Sequence, residues 1–306
     1  MSTHRQTGLS FVFHEIHVLW KFINNDIWDT ILPSLIAFFT AWIYCEHSWK
    51  GLPMHLLCSL VYACLYIYTF CMTNQVNSIE EDRINKPYRP LPTGLVTKKS
   101  TYYRIIIYNM LFLLLAYRLE IFWISVGWQL ITYLLNVYGW SDHWITKNLF
   151  GMSIGTFLLL AAQWGIASPG EGVSLNIVWY FICISLWAGF ALPIQDFRDE
   201  KGDREMGRKT LPIAIGDKNG RVLMVIHYLT LSPALFIAAM LTQMPFFEII
   251  KTPVPLIILV IQLLVHWSIA IRLWRQRSPE KDNQTYHLFV YLFCAGVPVI
   301  CYINIT

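Results

Sequence analysis

Long apolar runs alternate with short polar connectors along almost the whole chain. Nine runs stand out, at about residues 27–45, 53–73, 102–117, 121–138, 149–167, 175–195, 222–243, 255–273 and 287–305. A helix needs about 20 mostly apolar residues to cross a bilayer. The pattern therefore predicts an all-α, multi-pass membrane protein with about nine transmembrane helices, in one domain over residues 1–306. The third and fourth runs are parted only by Arg118-Leu-Glu120. Residues 1–26 precede the first run, and FVFHEIHVLWKFI at 11–23 predicts a helix lying in the membrane interface. His14 and His17 within it form no metal motif and read as surface residues.

Composition supports this picture. Apolar residues make up 56% of the 306 and charged residues 14%, against roughly 25% charged in a soluble domain. Lysine and arginine mark the cytosolic side of membrane proteins. With the N-terminus inside, twenty of the 23 fall on that side, leaving Lys50, Arg118 and Lys251 opposite. The N-terminus and the connectors after the second and sixth runs are then cytosolic, in the endoplasmic reticulum if the cell is eukaryotic. The start of the chain shows no secretory leader pattern. A net charge of +4 does not point to nucleic acid. The seven cysteines form no CxxC pair, so neither zinc nor a disulfide framework is indicated. The lipid bilayer is an evident partner; protein partners are not legible.

The charges gather in two clusters on that cytosolic side. The first runs from Asn74 through Ser78, Glu80, Glu81 and Asp82, then Lys86, Tyr88 and Arg89. The second runs from Asp196 through Asp199 and Asp203, then Arg208 and Lys209. Asn74 and Asp196 are 122 positions apart, and each cluster leads to a Leu-Pro pair, a faint internal repeat that would bring the clusters face to face. The runs themselves hold few ionisable groups, chiefly His55, His227 and His266. A proton-coupled transporter places acids or lysines near the midplane. The pattern instead suits a cavity that is apolar in depth and charged at its mouth.

Asp196, Asp199 and Asp203 are spaced i, i+3, i+7 and share one helix face. Carboxylates in such a stripe repel unless a cation sits between them. Mg²⁺ takes carboxylate and phosphate oxygens, which suggests a Mg²⁺–diphosphate site; the competing reading is a solvated face with Arg198, Lys201 and Arg204. Asn74, Ser78 and Asp82, spaced i, i+4, i+8, form a second stripe with Glu81 beside it. Either they bind metal, or Asn74 and Ser78 bond locally while Asp82 and Glu81 alone reach it. Lys86, Arg89, Lys147, Arg208 and Lys209 are candidate diphosphate ligands, or markers of topology.

These residues resemble the UbiA superfamily of membrane prenyltransferases. The second cluster fits the family's DxxDxxxD motif. Asn74, Asp82, Asn85, Pro87, Tyr88, Arg89 and Pro90 match its first motif. Tyr138 through Lys147 resembles its Tyr…Lys phosphate-contact segment. The resemblance implies a helical bundle around a central cavity, Mg²⁺ as cofactor and an isoprenoid diphosphate as substrate. It implies metal ligands at Asn74, Ser78, Glu81, Asp82, Asp196, Asp199 and Asp203, with Asp82, Asp199 and Asp203 catalytic. Lys86, Arg89, Tyr138, Lys147, Arg208 and Lys209 would bind diphosphate. Gln75 and Ser78 replace two of the first motif's aspartates. That variant resembles a fungal branch containing membrane-bound sesquiterpene cyclases. The Asn/Ser/Asp spacing also resembles the metal triad of soluble class I terpene synthases. Cyclisation of farnesyl diphosphate is the expectation, with prenyl transfer to an acceptor as the alternative.

Overall fold

A computed structural model describes residues 8–304. Residues 1–7 of the predicted interfacial segment lie outside them. The principal helices are α1 (Gly8–Ile23), α2 (Ile27–Tyr44), α3 (Leu52–Asn77), α4 (Ile79–Asn85), α5 (Lys98–Arg118) and α6 (Phe122–Asn136). They continue as α7 (Ile145–Ala167), α8 (Leu175–Glu205), α9 (Asp217–Leu241), α10 (Pro253–Arg275) and α11 (Pro279–Ile303). No named β-strand occurs among the described residues; a single parallel bridge joins His143 to Lys209.

A helix begins or continues at each of the nine apolar runs, but the count of nine membrane spans is not confirmed. Seven helices (α2, α3 and α7 through α11) are long and apolar enough to cross a bilayer. The other two runs form α5 and α6. Lys98, Lys99, Arg104 and Asn109 dilute the apolar character of α5. α6 has 15 residues, about 22 Å of helix at 1.5 Å per residue, against a hydrocarbon core about 30 Å thick. The turn between them works because Glu120 takes a left-handed conformation, with φ 61°. Thr97 and Ser100 form a reciprocal capping box at the start of α5, each hydroxyl accepting from the other's backbone N–H at 3.1 Å.

α1 packs Val18, Phe22 and Ile23 against α3, and Glu15 accepts a hydrogen bond from Arg104 Nε at 2.9 Å. Its other face exposes Leu9, Phe11, Phe13, Ile16 and Trp20.

Several polar groups inside the bundle pair with one another, since lipid offers them no partner. Ser59 donates to Gln163 at 2.6 Å, and Tyr62 bonds Ser125 at 2.9 Å. Trp187, fully buried, donates to Ser232 Oγ at 2.9 Å and His266 Nε2 at 3.0 Å. Gly296 is required beside it: a Cβ there would lie 2.7 Å from the indole. All seven cysteines are free. Cys45, His47 and Glu171, at the end away from the acidic clusters, bring ligand-type atoms within 4.8 Å of one another, a grouping invisible in sequence.

Two stretches at the motif-bearing end adopt π-helical turns, Ile27–Ile31 and Ile145–Met152. Such turns insert a residue into the helical register and re-aim side chains, frequently at functional sites. Both supply residues to the cavity described next.

Candidate functional site

The two acidic segments meet over the mouth of one internal cavity of about 240 Å³. Gly202 allows them to approach. A Cβ at that position would lie 2.0 Å from the Asn85 side-chain nitrogen, so α4 and the last turns of α8 pack through hydrogen there. Arg208 clamps the two segments: Nη2 lies 2.8 Å from Glu81 Oε2, and Nη1 donates to Asp203 Oδ1 at 3.2 Å. A third contact places Arg208 Nε 3.6 Å from Asp142. The backbone N–H of Lys209 donates to Asp142 O at 2.6 Å, tying the 139–144 loop to the segment after the second motif.

The second segment continues a membrane helix. α8 tightens into a 3-10 turn over Leu192–Gln195 and resumes as helix at Asp196–Glu205. Asp199 and Asp203 reach the cavity wall. Asp196 is fully buried behind it, accepting from Lys147 Nζ at 2.7 Å and Asn148 Nδ2 at 3.3 Å. Asp199 pairs with Arg198 at 3.3 Å. Asp203 Oδ2 is buried without a hydrogen-bond partner.

The first segment is interrupted. α3 ends at Asn77, and Ser78, with φ −122° and ψ 33°, separates it from α4. The Ser78 hydroxyl donates to the Asn74 carbonyl at 2.9 Å, a local bond of the kind that competes with helix continuation. The single stripe of Asn74, Ser78 and Asp82 is thereby broken. Asn74 lines the cavity and donates to Asn136 Oδ1 at 2.9 Å. Glu81 also lines it. Asp82 sits behind, accepting from Arg89 Nη1 at 2.7 Å, with its Oδ2 buried and unpartnered.

Burial pushes the Asp82 carboxyl up to about 6, although Arg89 and Lys86 draw it down. For Arg208, burial alone would lower the pKa, but Glu81 and Asp203 outweigh it and raise the value.

Among the basic candidates, Lys86, Arg89, Lys147 and Arg208 line the cavity. Lys209 and Tyr138 are exposed and stand off its wall. Ser78, Asp82 and Asp196 also lie outside the lining residues. Sequence reasoning overlooked Asp26, Asp29, Thr30 and Tyr286 on the wall, and named Arg198, which also lines it, only as part of a solvated face. The signal available for Asp26 and Asp29 was a pair of acids at the edge of the first apolar run.

Below the ionic mouth the wall is aromatic and apolar, with Tyr66, Phe70, Trp128, Phe289 and Phe293 among its residues. Tyr66 and Trp128 stack with centroids 3.9 Å apart and 8° between planes. Tyr66 Oη donates to Gly155 O at 2.7 Å. The Trp128 ring occupies the space a side chain at Gly155 would need, with a Cβ there 2.7 Å from it. The cavity can therefore receive an amphiphile, polar end between the acidic segments and apolar end against the rings.

Fold and site together define an all-α integral membrane protein built around an amphipathic cavity. The UbiA prenyltransferase family model matches residues 30–293, and the chain belongs to that family. It is 32% identical to "Diterpene cyclase eriG" of Hericium erinaceus over 289 residues, covering 92% of this chain and 87% of the relative. It is 33% identical to "Polyprenyl transferase eriF" of the same fungus over 291 residues, covering 92% and 93%. A UbiA homologue from Archaeoglobus fulgidus, solved bound to DMAPP and Mg²⁺, aligns with a TM-score of 0.64 at 15% identity, over 93% of this chain and 99% of that one. This last likeness concerns the fold.

Proposed function

We propose that this UbiA-family enzyme ionises an isoprenoid diphosphate, farnesyl diphosphate or a close relative, and cyclises the resulting cation to a sesquiterpene with release of diphosphate. The observation that carries the reading is the cavity itself, with carboxylates and basic groups at the mouth and stacked aromatic rings beneath.

The donor set fits a divalent cation. Asp203, on the cavity wall, carries a buried oxygen, Oδ2, without a partner, and an unmet buried acceptor is costly unless a ligand satisfies it. Mg²⁺ favours such oxygens. Asp199 and Asp203 would hold it from one side, Asn74 and Glu81 from the other, with Asp196, Ser78 and Asp82 behind them. When bound, Mg²⁺ supplies positive charge that stabilises the departing diphosphate.

The chain's own residues account for the remainder. Arg89, Lys86, Lys147 and Arg208 direct donors at the cavity mouth, where negative charge collects as the C–O bond breaks. Asp196 fixes Lys147, and Asp82 fixes Arg89, through 2.7 Å contacts. The rings of Tyr66, Trp128 and Phe289 offer faces to the allylic cation, and the apolar wall keeps water from it. The N-terminus and both motifs face the cytosol in this reading, in endoplasmic reticulum membrane if the cell is eukaryotic.

Transfer of the prenyl cation to an aromatic or other acceptor is the second reading, favoured by the comparable identity to a polyprenyl transferase. Gas chromatography–mass spectrometry separates the two. Membranes containing the protein receive Mg²⁺ and farnesyl diphosphate without acceptor. A cyclic hydrocarbon or alcohol, absent with Asp203→Ala, is the expected result. Product that forms only with an added acceptor overturns cyclisation in favour of transfer.

A further inference from the structure

The motif carboxylates on the cavity wall are all held by guanidinium groups. Glu81 and Asp203 share Arg208, and Asp199 faces Arg198. Asp29 is held differently. It belongs to the π-helical turn at the start of α2 and lines the same cavity. Its Oδ2 accepts a 2.7 Å hydrogen bond from Tyr286 Oη, a phenol rather than a cation. Its Oδ1 is buried with no hydrogen-bond partner.

Tyr286 is itself fixed. The Arg198 guanidinium lies 4.6 Å over its ring, and Arg198 Nη1 donates to Asn283 Oδ1 at 2.6 Å. Tyr286, Phe289, Val290 and Phe293 follow i, i+3, i+4, i+7 spacing along α11, and all four line the cavity. Asp29 thus stands where the ionic mouth passes into the aromatic wall, with one carboxylate oxygen anchored and the other free.

We propose that Asp29 is the proton acceptor that ends the reaction, an inference that rests on the cyclisation reading above. Ionisation breaks the C–O bond, and its electron pair leaves with diphosphate. Ring closure moves the positive charge to another carbon. A carbon next to that centre then gives up a proton. The C–H electron pair becomes the new C=C bond, and the proton goes to Asp29 Oδ1. Tyr286 keeps the carboxylate from rotating, so one face of the cation is offered to one oxygen. After product leaves, Asp29 returns its proton to water. The sum is one prenyl diphosphate giving one cyclic olefin, diphosphate and a proton.

The test uses the full chain in lipid nanodiscs with Mg²⁺ and farnesyl diphosphate, reading diphosphate release and product distribution together. Asp29→Asn preserves shape and an acceptor for Tyr286 but removes the base. The expected result is at least a tenfold fall in the wild-type olefin's share, with water-captured alcohols or other olefins rising. Total diphosphate release falls by a smaller factor. An unchanged product distribution, or equal losses of release and olefin in a folded variant, overturns the assignment. If Asp29→Asn elutes as aggregate, Tyr286→Phe carries the test. A loosened carboxylate broadens the olefin mixture, and an unbroadened one overturns the proposal. Wild-type protein that forms product only with an acceptor overturns the cyclisation reading and this step together. Wild-type cyclisation with an unchanged Asp29→Asn profile overturns this step alone.

Discussion

The two acidic segments make similar impressions in sequence and different ones in structure. The second prolongs a membrane helix, and its 3-10 entry and helical register deliver Asp199 and Asp203 to the cavity while Asp196 anchors Lys147 behind them. The first is severed from its membrane helix at Ser78. Asn74 and Glu81 reach the cavity from the two sides of that break, and Asp82 turns inward to hold Arg89. The difference teaches that helical spacing predicts a shared face only while the helix lasts. It also divides the work: the second segment supplies a continuous carboxylate face, and the first supplies a bracket for a guanidinium.

The sharpest way to break this comparison is to remove a carboxylate from the intact helix. Asp203→Ala is expected to cut turnover by about 10²-fold or more, because a metal ligand contributes several kcal/mol at about 1.4 kcal/mol per decade. Near-normal diphosphate release from a folded variant would contradict that role. The seam between the segments comes next. Gly202→Ala places a methyl group 2.0 Å from Asn85 Nδ2 and is expected to cost about 1–3 kcal/mol of stability. Thermal unfolding in detergent measures it, and Asn85→Ala should restore part of the loss.

A pH titration sharpens the account of the first segment. Burial pushes the Asp82 carboxyl up to about 6 in the folded chain, against an ordinary 3.8. Between these values the folded chain holds a proton that the unfolded chain has released. This contribution to stability is therefore greatest at the acid end of the window and is lost as pH rises through about 6. Substrate binding runs the other way, since it is the ionised carboxylate that holds Arg89 at the cavity mouth. Below that point the half-saturating concentration of the diphosphate substrate should climb by up to about tenfold per pH unit. A flat substrate profile from pH 7 to 5 would remove Asp82 as the group that fixes Arg89. The smallest effect belongs to Ser78. Its hydroxyl is engaged with the Asn74 carbonyl, so Ser78→Ala is expected to move the Mg²⁺ half-saturation by less than about twofold. A larger shift would restore Ser78 to the ligand set.

Much of this arrangement was legible in the chain. Apolar periodicity located the helices, because burying backbone polar groups in lipid leaves helix as the economical solution. Connector positions alone implied that both acidic segments gather at one end. The pairing of Glu81 with Asp203 through Arg208 was not legible, since Glu81 belongs to the other segment and meets Arg208 only after the helices pack. Tyr138 and Lys209, drawn from the same motif pattern as Lys147 and Arg208, stand off the wall, because a linear motif does not specify which side chains a turn will carry outward.

By itself, then, the sequence determined that this is an α-helical membrane protein with its acids, amides and bases collected at helix ends, since hydropathy and local spacing act along the chain. Only tertiary structure decided which of those groups share a cavity. The hydrogen-sized gap at Gly202, against Asn85, and the Arg208 clamp on Glu81 depend on contacts between distant residues. Asp29 and Tyr286 are 257 positions apart and meet in a single 2.7 Å hydrogen bond. No periodicity along the chain encodes a contact of that separation; it exists because the fold packs α11 beside α2.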